Sequence, residues 1–452
     1  MTHDLKSVPD EGELAGRQNK ENFMTKGQKR GRFLIGTMLF LAIIAVVSSL
    51  FLMDSETAEN SSYKLTSETF TQPVNHNNPA SETFEQEILI LKPEGASLNS
   101  PVFFILGNEG DKTLKELSHL YEAYGAPEDI TFIVAEHRGY GQSVTANVDQ
   151  SLPDYITIDQ ALADYHRFIT RYKTKYPGPW MAAGYSYGGG LVVNFAHKYH
   201  EDVKVILVSS AVIDWPFYMD TYDRQVKINL GDGLYERMTE HIQNLRPDVL
   251  FDQTWLEREF ITNMTLGISQ KGQYQSLLPV FRVLSYLPTG PFLKILRWMD
   301  TKVAKEAGWT AAQAFGKKSL SRTEAVTGKY NWYTWKYQQC KRTGTMWISE
   351  DPVGLFPKSK ADNFNECKAM FGEDPPAATN SPWNPRAMVK NLSVPQVYVI
   401  GGKDPWTALC QEKTDWIAAE DYFYVRDGFH CPDRTDSELG KKVLARLLVH
   451  LN

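Results

Sequence analysis

The chain has 452 residues, 42% of them hydrophobic and 23% charged, so it can fill a large core and does not read as disordered. Its formal net charge of -6 gives no global basic field, which argues against nucleic acid as a partner and for a small-molecule or peptide substrate. Four cysteines are too few for a disulfide scaffold and lack the paired spacing of a structural zinc site; with no H-E-x-x-H pattern either, no metal or other cofactor is expected.

In chain order, residues 1–32 are polar, lack hydrophobic periodicity and read as a disordered cytosolic tail. Phe33 to Met53 is an uncharged apolar run long enough to cross a bilayer as a helix. Lys26, Lys29, Arg30 and Arg32 precede it and Asp54, Glu56 and Glu59 follow, which orients a signal-anchor with the body of the protein lumenal or extracellular, a single-pass type II arrangement. The alternative is a long leader cleaved near Ala58 and a secreted product. The sequons at Asn60, Asn263 and Asn391 all follow the apolar run and are candidate glycosylation sites.

After a stalk at 54–63, strand-like runs alternate with helical ones: Phe84 to Lys92, Pro101 to Leu106, Ile130 to Glu136, Trp180 to Tyr185 and Val203 to Ser209. Between two of them Ile158, Leu162, Tyr165, Ile169 and Tyr172 keep one helical face apolar. This alternation implies parallel strands joined by helical crossovers, and residues 64–213 form the first part of an α/β domain. Residues 214–386 lose the strand signal and carry helical periods over a length no loop should have, so they read as an inserted helical cap. Strand character returns at Val394 to Ile400 and Asp421 to Val425, and a final helix at Glu438 to His450 aligns Leu439, Val443 and Leu447; residues 387–452 complete the α/β domain.

The chemistry concentrates in WMAAGYSYGGG, where Gly184-Tyr185-Ser186-Tyr187-Gly188 is a G-x-S-x-G elbow between a buried strand and a helix, the frame of an α/β-hydrolase nucleophile. A serine hydroxyl needs a base within hydrogen-bond reach and an acid to orient it. In the chain order of this fold the acid is Asp404, in YVIGGKDPW after a strand, and the base is His430, in YVRDGFHCPD after the next. Asp427 and Asp433 are too close to His430 in sequence and read as loop-shaping. His137 precedes the nucleophile, and Glu136-His137-Arg138 reads as an ion-pair and packing element. For the oxyanion, one donor is the N–H of Tyr187 and the other comes from FFILGNEGD, with Gly107 and Asn108 as candidates.

Taken together, FTQPVNHNNP, GNEGD, AEHRGYGQS, ALADY, GYSYGGG, WKYQQC, CKAMFG, GGKDPW and HCPD resemble the family of lysosomal Pro-X carboxypeptidase, dipeptidyl peptidase II and thymus-specific serine protease. The resemblance implies an α/β-hydrolase fold with a helical cap, the triad Ser186, Asp404 and His430, and cleavage next to proline or a small residue near a peptide end. Gly139, Lys341 and Arg342 depart from the usual family residues, and the apolar anchor is unlike the cleaved signals of the usual soluble members. In an oxidising lumen Cys340, Cys367, Cys410 and Cys431 are expected to form two disulfides, in a pairing left open.

The peptide end is argued from charge. A C-terminal carboxylate needs a cation, for which Lys336 and Arg342 are candidates, whereas an N-terminal amine needs an acid, for which Glu109 and Asp111 stand in GNEGD. The cations favour a Pro-X carboxypeptidase-like serine exopeptidase. A dipeptidyl peptidase and an esterase or lipase on the same fold are the alternatives. The expected partners are a peptide substrate, the membrane through residues 33–53 and, as an option, a second copy of the chain in a homodimer.

Overall fold

The structure, a computed structural model, describes residues 62–144, 155–213, 219–245, 253–297, 331–340, 354–356, 359–372 and 385–451. The expected tail, the membrane span 33–53 and nearly all of the stalk lie outside these residues; among the described residues no helix is long and apolar enough to cross a membrane.

Eight strands form one sheet in the order β1-β2-β4-β3-β5-β6-β7-β8. They are β1 Tyr63–Pro73, β2 Thr83–Pro93, β3 Val102–Leu106, β4 Thr131–Ala135, β5 Trp180–Tyr185, β6 Ile206–Ser209, β7 Gln396–Gly401 and β8 Tyr422–Val425. The first two run antiparallel to their neighbours and the rest are parallel. This order, with the G-x-S-x-G turn leaving β5, is that of an α/β-hydrolase sheet. The strand β1 escapes the sequence reading. It is an edge strand that turns Lys64, Ser67, Thr69 and Thr71 into solvent, so no apolar run marks it.

Period-two alternation sends Phe104 and Leu106 to one face of the sheet and Phe103 and Ile105 to the other, each onto its own helical layer. The helices α1 (Leu114–Ala123), α2 (Ile158–Tyr172) and α3 (Tyr187–Lys198) follow β3, β4 and β5. Ile158, Leu162, Tyr165, Phe168 and Ile169 of α2 pack with Leu191, Val192 and Phe195 of α3 on the first face. Leu117 and Leu120 of α1 pack with Val443 and Leu447 of the last helix, Ser437–Val449, on the second. Thr113 and Thr157 cap α1 and α2 by accepting the N–H of Glu116 and Gln160.

Between β6 and β7 the described elements are helical, as the loss of strand signal predicts: α4 Met219–Leu230, α5 Asp232–Gln243, α6 Gln253–Gln270, α7 Leu278–Leu284, α8 Asn331–Gln338, α9 Lys360–Phe371 and α10 Pro385–Val389. The last of these belongs to the hydrolase body by its packing, since Val389 is buried in the core of the first face. Ser359 and Asp362 make a capping box at the start of α9, and Gly372 ends it at φ 78.

The cysteine expectation needs correction. Cys340, just after α8, is bonded to Cys367 in α9, but Cys410 and Cys431 are separate buried thiols. Each sits against a different backbone carbonyl, Cys410 against Trp406 at 3.4 Å and Cys431 against Ser209 at 3.9 Å. Burial, with Asp404 nearby, pushes the Cys410 thiol well above its usual range and makes it a poor thiolate. Of the sequons, Asn391 lies in an exposed turn. Asn263 lies inside α6 with its amide donating to the Glu259 carbonyl, a poor glycan acceptor, and Asn60 is outside the described residues.

Candidate active site

The turn between β5 and α3 places the nucleophile. Ser186 has φ 57 and ψ -123, a conformation that side-chain-bearing residues rarely occupy and that a surrounding structure must enforce. Two constraints enforce it here. The Ser186 N–H donates to the Ser209 carbonyl at 3.0 Å, and the Gly189 N–H donates to the Ser186 carbonyl at 2.9 Å. A side chain at Gly184 would put its Cβ 2.0 Å from the Gly188 carbonyl oxygen, so only glycine lets the strand and helix cross this closely. The serine therefore stands at the N-terminus of α3, partly exposed at the C-terminal end of the sheet.

The acid and base arrive on neighbouring loops that are bound to each other. After β7 the Gly402 N–H donates to Val425 and the Lys403 N–H to Gly428, which brings the Asp404 loop against the His430 loop. Asp404 is 1% exposed. Its Oδ1 accepts the Trp406 N–H at 3.0 Å and its Oδ2 lies 2.7 Å from His430 Nδ1. Two fixed partners hold the carboxylate in one orientation, and the carboxylate fixes the imidazole tautomer that leaves Nε2 to accept a proton. That Nε2 is buried and has no hydrogen-bond partner among the described residues. Burial pulls the imidazolium down, but the Asp404 charge outweighs it and holds His430 well above the ordinary histidine range.

The rival residues have other work. Asp433 accepts the Tyr124 hydroxyl at 2.6 Å and the Ser209 hydroxyl at 2.5 Å, tying the His430 loop to the body. Asp427 is exposed and pairs with Lys403 at 2.9 Å. His137 is fully buried against the Arg138 carbonyl, and burial lowers it to about 4, so it is neutral and apart from the Asp404–His430 pair. Arg138 is bidentate on Asp164 at 2.5 and 2.6 Å rather than paired with Glu136. Glu136 collects the N–H groups of Lys112, Gln142 and Ser143, and burial raises it to about 7.

One oxyanion candidate is corrected. The Gly107 N–H is spent on the Ala135 carbonyl at 2.9 Å, extending the sheet. Glycine is needed there for room, since a Cβ would lie 2.4 Å from the His137 nitrogen. Asn108 lies beside the Ser186 turn, its Cβ 3.5 Å from where a Gly188 side chain would begin, so it and Tyr187 remain the candidate donors.

The cap reaches this site at several points that no motif announces. Trp335 of α8 packs on the Tyr187 ring at 5.0 Å, and Gln338 donates to the Tyr187 hydroxyl at 3.1 Å. Asn229 of α4 donates to the Lys403 carbonyl at 2.7 Å, and Tyr222 stands edge-on to Trp406 at 4.5 Å. The carbonyl of Gln270, at the end of α6, accepts the His430 N–H at 3.0 Å. Of the residues expected to hold a peptide end, Lys336 faces Glu366 at 3.8 Å, so its charge is balanced within the cap. Arg342 lies outside the described residues. The Asp111 carbonyl accepts Lys112 Nζ at 3.1 Å, and Glu109 lies beside His430, near enough that the two charges interact.

Comparison with known proteins shows what the chain is similar to. A proline iminopeptidase structure from Mycobacterium smegmatis superposes over 85% of this chain and 99% of its own at 14% identity, with a TM-score of only 0.39, so the fold rests on the strand order above. The prolyl tri/tetrapeptidyl aminopeptidase of Streptomyces mobaraensis is 28% identical over 176 residues, 39% of this chain and 35% of its own. The human lysosomal Pro-X carboxypeptidase is 33% identical over 147 residues, which is 30% of this chain and 29% of that protein's length. Asp404 and His430 fall beyond the family-matched segment and are placed by geometry, but Ser186 falls within it: residues 72–242 match the model of serine carboxypeptidase S28, which bears out the resemblance drawn from the motifs.

Proposed function

We propose that this chain is a serine exopeptidase that cleaves next to proline near a peptide end, in the Pro-X carboxypeptidase manner, through an acyl-enzyme. The observation that carries the reading is the coincidence of a strained serine at φ 57 after β5 with a buried Asp404–His430 pair after β7 and β8 of the same sheet. In this reading His430 Nε2 takes the Ser186 hydroxyl proton as the oxygen attacks the peptide carbonyl. The Tyr187 and Asn108 N–H groups then receive the oxyanion, and the imidazolium, stabilised by Asp404, returns its proton to the leaving amine. The printed name of the human relative supports the proline preference and the C-terminal direction, while that of the Streptomyces relative shows that an aminopeptidase shares the sequence pattern.

A fluorophosphonate probe tests the serine. We expect covalent labelling of the wild type, none of Ser186→Ala, and a fall in turnover of about 10⁶ on proline-containing peptides. Peptide hydrolysis surviving in the purified variant would sink the assignment. An enzyme that is labelled but turns over only esters would be the esterase or lipase alternative.

The same reading places the catalytic part on the lumenal or extracellular side of a membrane spanned by residues 33–53. The apolar run with its basic N-terminal flank supports this, and so does the Cys340–Cys367 disulfide, a bond that cytosolic thiol pools keep open. Mass spectrometry finding both cysteines as free thiols in protein taken from its own cells would count against it.

A further inference from the structure

Glu109 is the acidic residue that the sequence offers as a holder of a peptide amine, and its surroundings have the wrong sign for that task. It sits in the loop after β3, next to the oxyanion candidate Asn108. Lys112 from its own loop, Lys271 from the segment after α6 and His430 from the base loop all place positive charge toward it. Among the described residues the Tyr187 and Tyr140 hydroxyls, which remain protonated, also interact with it. A substrate ammonium entering here would add to two lysines and a protonatable imidazole around a single carboxyl, whereas a substrate carboxylate would find those charges complementary.

The carboxyl itself is prepared for such a guest. Its Oε2 is fully buried and has no hydrogen-bond partner among the described residues. An ionised oxygen in that position would be uncompensated by any donor, but a protonated one carries an O–H that lacks only an acceptor. We propose that Glu109, in its neutral form, donates a hydrogen bond to the free carboxylate at the substrate's C-terminus, with Lys112 and Lys271 supplying the balancing charge. Burial outweighs the cations and raises Glu109 above the usual carboxylate range, which keeps the neutral form populated to higher pH. The assignment rests on the serine exopeptidase reading and gives it a reason for acting at the C-terminus that does not depend on Lys336.

The sign of the pH dependence follows. Below the raised value Glu109 is a donor; above it two carboxylates face each other and recognition weakens. His430 must be neutral to act as the base with either peptide, so its titration cancels when two peptides are compared at one pH. The experiment measures kcat/KM for pairs of proline-containing peptides that differ only in a free or amidated C-terminus, from about pH 5 to about pH 8. The free acid should be preferred about tenfold or more at the acid end, and the preference should shrink as pH rises. Glu109→Gln, whose amide donates at any pH, should keep the preference constant across the range; Glu109→Ala should lose it. Equal rates for the two peptides at acid pH, in wild type of which a parallel sample takes the fluorophosphonate label, overturn the proposal while sparing the serine reading. So does a rate abolished by N-acetylation and untouched by amidation. Absence of labelling overturns both.

Discussion

The strand ends and the cap helices both surround Ser186, but they are held there in different ways. On the sheet side each reacting group is fixed by backbone. Ser186 is pinned by the Ser209 carbonyl and the α3 turn, Asp404 by the Trp406 N–H, and His430 by a loop bonded to the Asp404 loop. On the cap side, apart from the Gln270 carbonyl on the His430 N–H, the contacts named are made by side chains: Trp335 and Gln338 on Tyr187, Asn229 on Lys403, Tyr222 on Trp406. Backbone placement tolerates little movement and suits groups that must meet within hydrogen-bond distance during bond making. Side-chain placement can be altered one residue at a time without disturbing the frame, which suits the selection of substrates. The difference predicts that damage on the sheet side stops the chemical step for every substrate, and that damage on the cap side changes affinity or stability while the reaction survives.

The largest effect expected is at Asp404. Asparagine keeps the size but removes the charge that supports the imidazolium and fixes its tautomer, so Asp404→Asn should lower kcat by roughly 10⁴ with little change in thermal midpoint. A loss of tenfold or less would mean that another acid orients His430, and the sheet side would no longer be the seat of the chemistry.

The same division explains what the sequence made legible. Strands β3 to β7 are short, continuous apolar runs because both faces of the sheet are covered, and such runs stand out between glycines and helical periods. The elbow is visible because glycine is sterically demanded at Gly184 and Gly189, where a Cβ would lie 2.0 Å from the Gly188 carbonyl oxygen and 2.4 Å from the Ala211 Cβ. Asp404 is visible because it follows such a strand, and His430 because it follows the aromatic run of β8. What the sequence hides depends on partners distant along the chain. Gly107 looks like an oxyanion donor until its N–H is seen to complete the sheet, and Lys336 looks like a free cation until Glu366 is found beside it. Cys410 and Cys431 lie near each other along the chain but face different carbonyls. The contact of Gln270 with the His430 loop has no local signal, since any residue can lend a carbonyl.

A smaller effect is expected from the bond that organises the described part of the cap. The Cys340–Cys367 disulfide closes a loop with a sequence separation of 27 and joins the end of α8 to α9, where Tyr337 and Phe371 stack edge-on. Removing a cross-link over this span should cost about 3 kcal/mol, chiefly through the freedom regained by the unfolded chain. Cys340→Ser should therefore lower the thermal midpoint and open α8 and α9 to limited proteolysis, while β3 to β7 stay resistant and fluorophosphonate labelling of Ser186 persists. Simultaneous loss of labelling and of protease resistance in the sheet would show that cap and body unfold as one unit, and the distinction between them would have no energetic basis.

The smallest effect, and the most direct comparison of the two sides, is at Gln338. Its buried amide donates to the Tyr187 hydroxyl at 3.1 Å, and its carbonyl oxygen accepts the Tyr140 hydroxyl. It therefore links the cap to the residue that follows the expected nucleophile. Gln338→Ala removes both bonds and leaves two tyrosine hydroxyls to find other partners in a covered space, a cost of about 1–2 kcal/mol. Because α3 and the backbone of the elbow are fixed from the sheet side, that cost should appear in how the cap closes on a peptide rather than in the bond-making step. The expected outcome is a fall in kcat/KM of roughly 5- to 30-fold, carried by KM, with kcat within about threefold of wild type. Gln338→Glu, which can still accept from Tyr140 but cannot donate to Tyr187 when ionised, should fall between the two. If the alanine variant instead loses kcat on the scale of Asp404→Asn, the α8 contact positions Tyr187 for the oxyanion itself, and the cap shares in the chemistry.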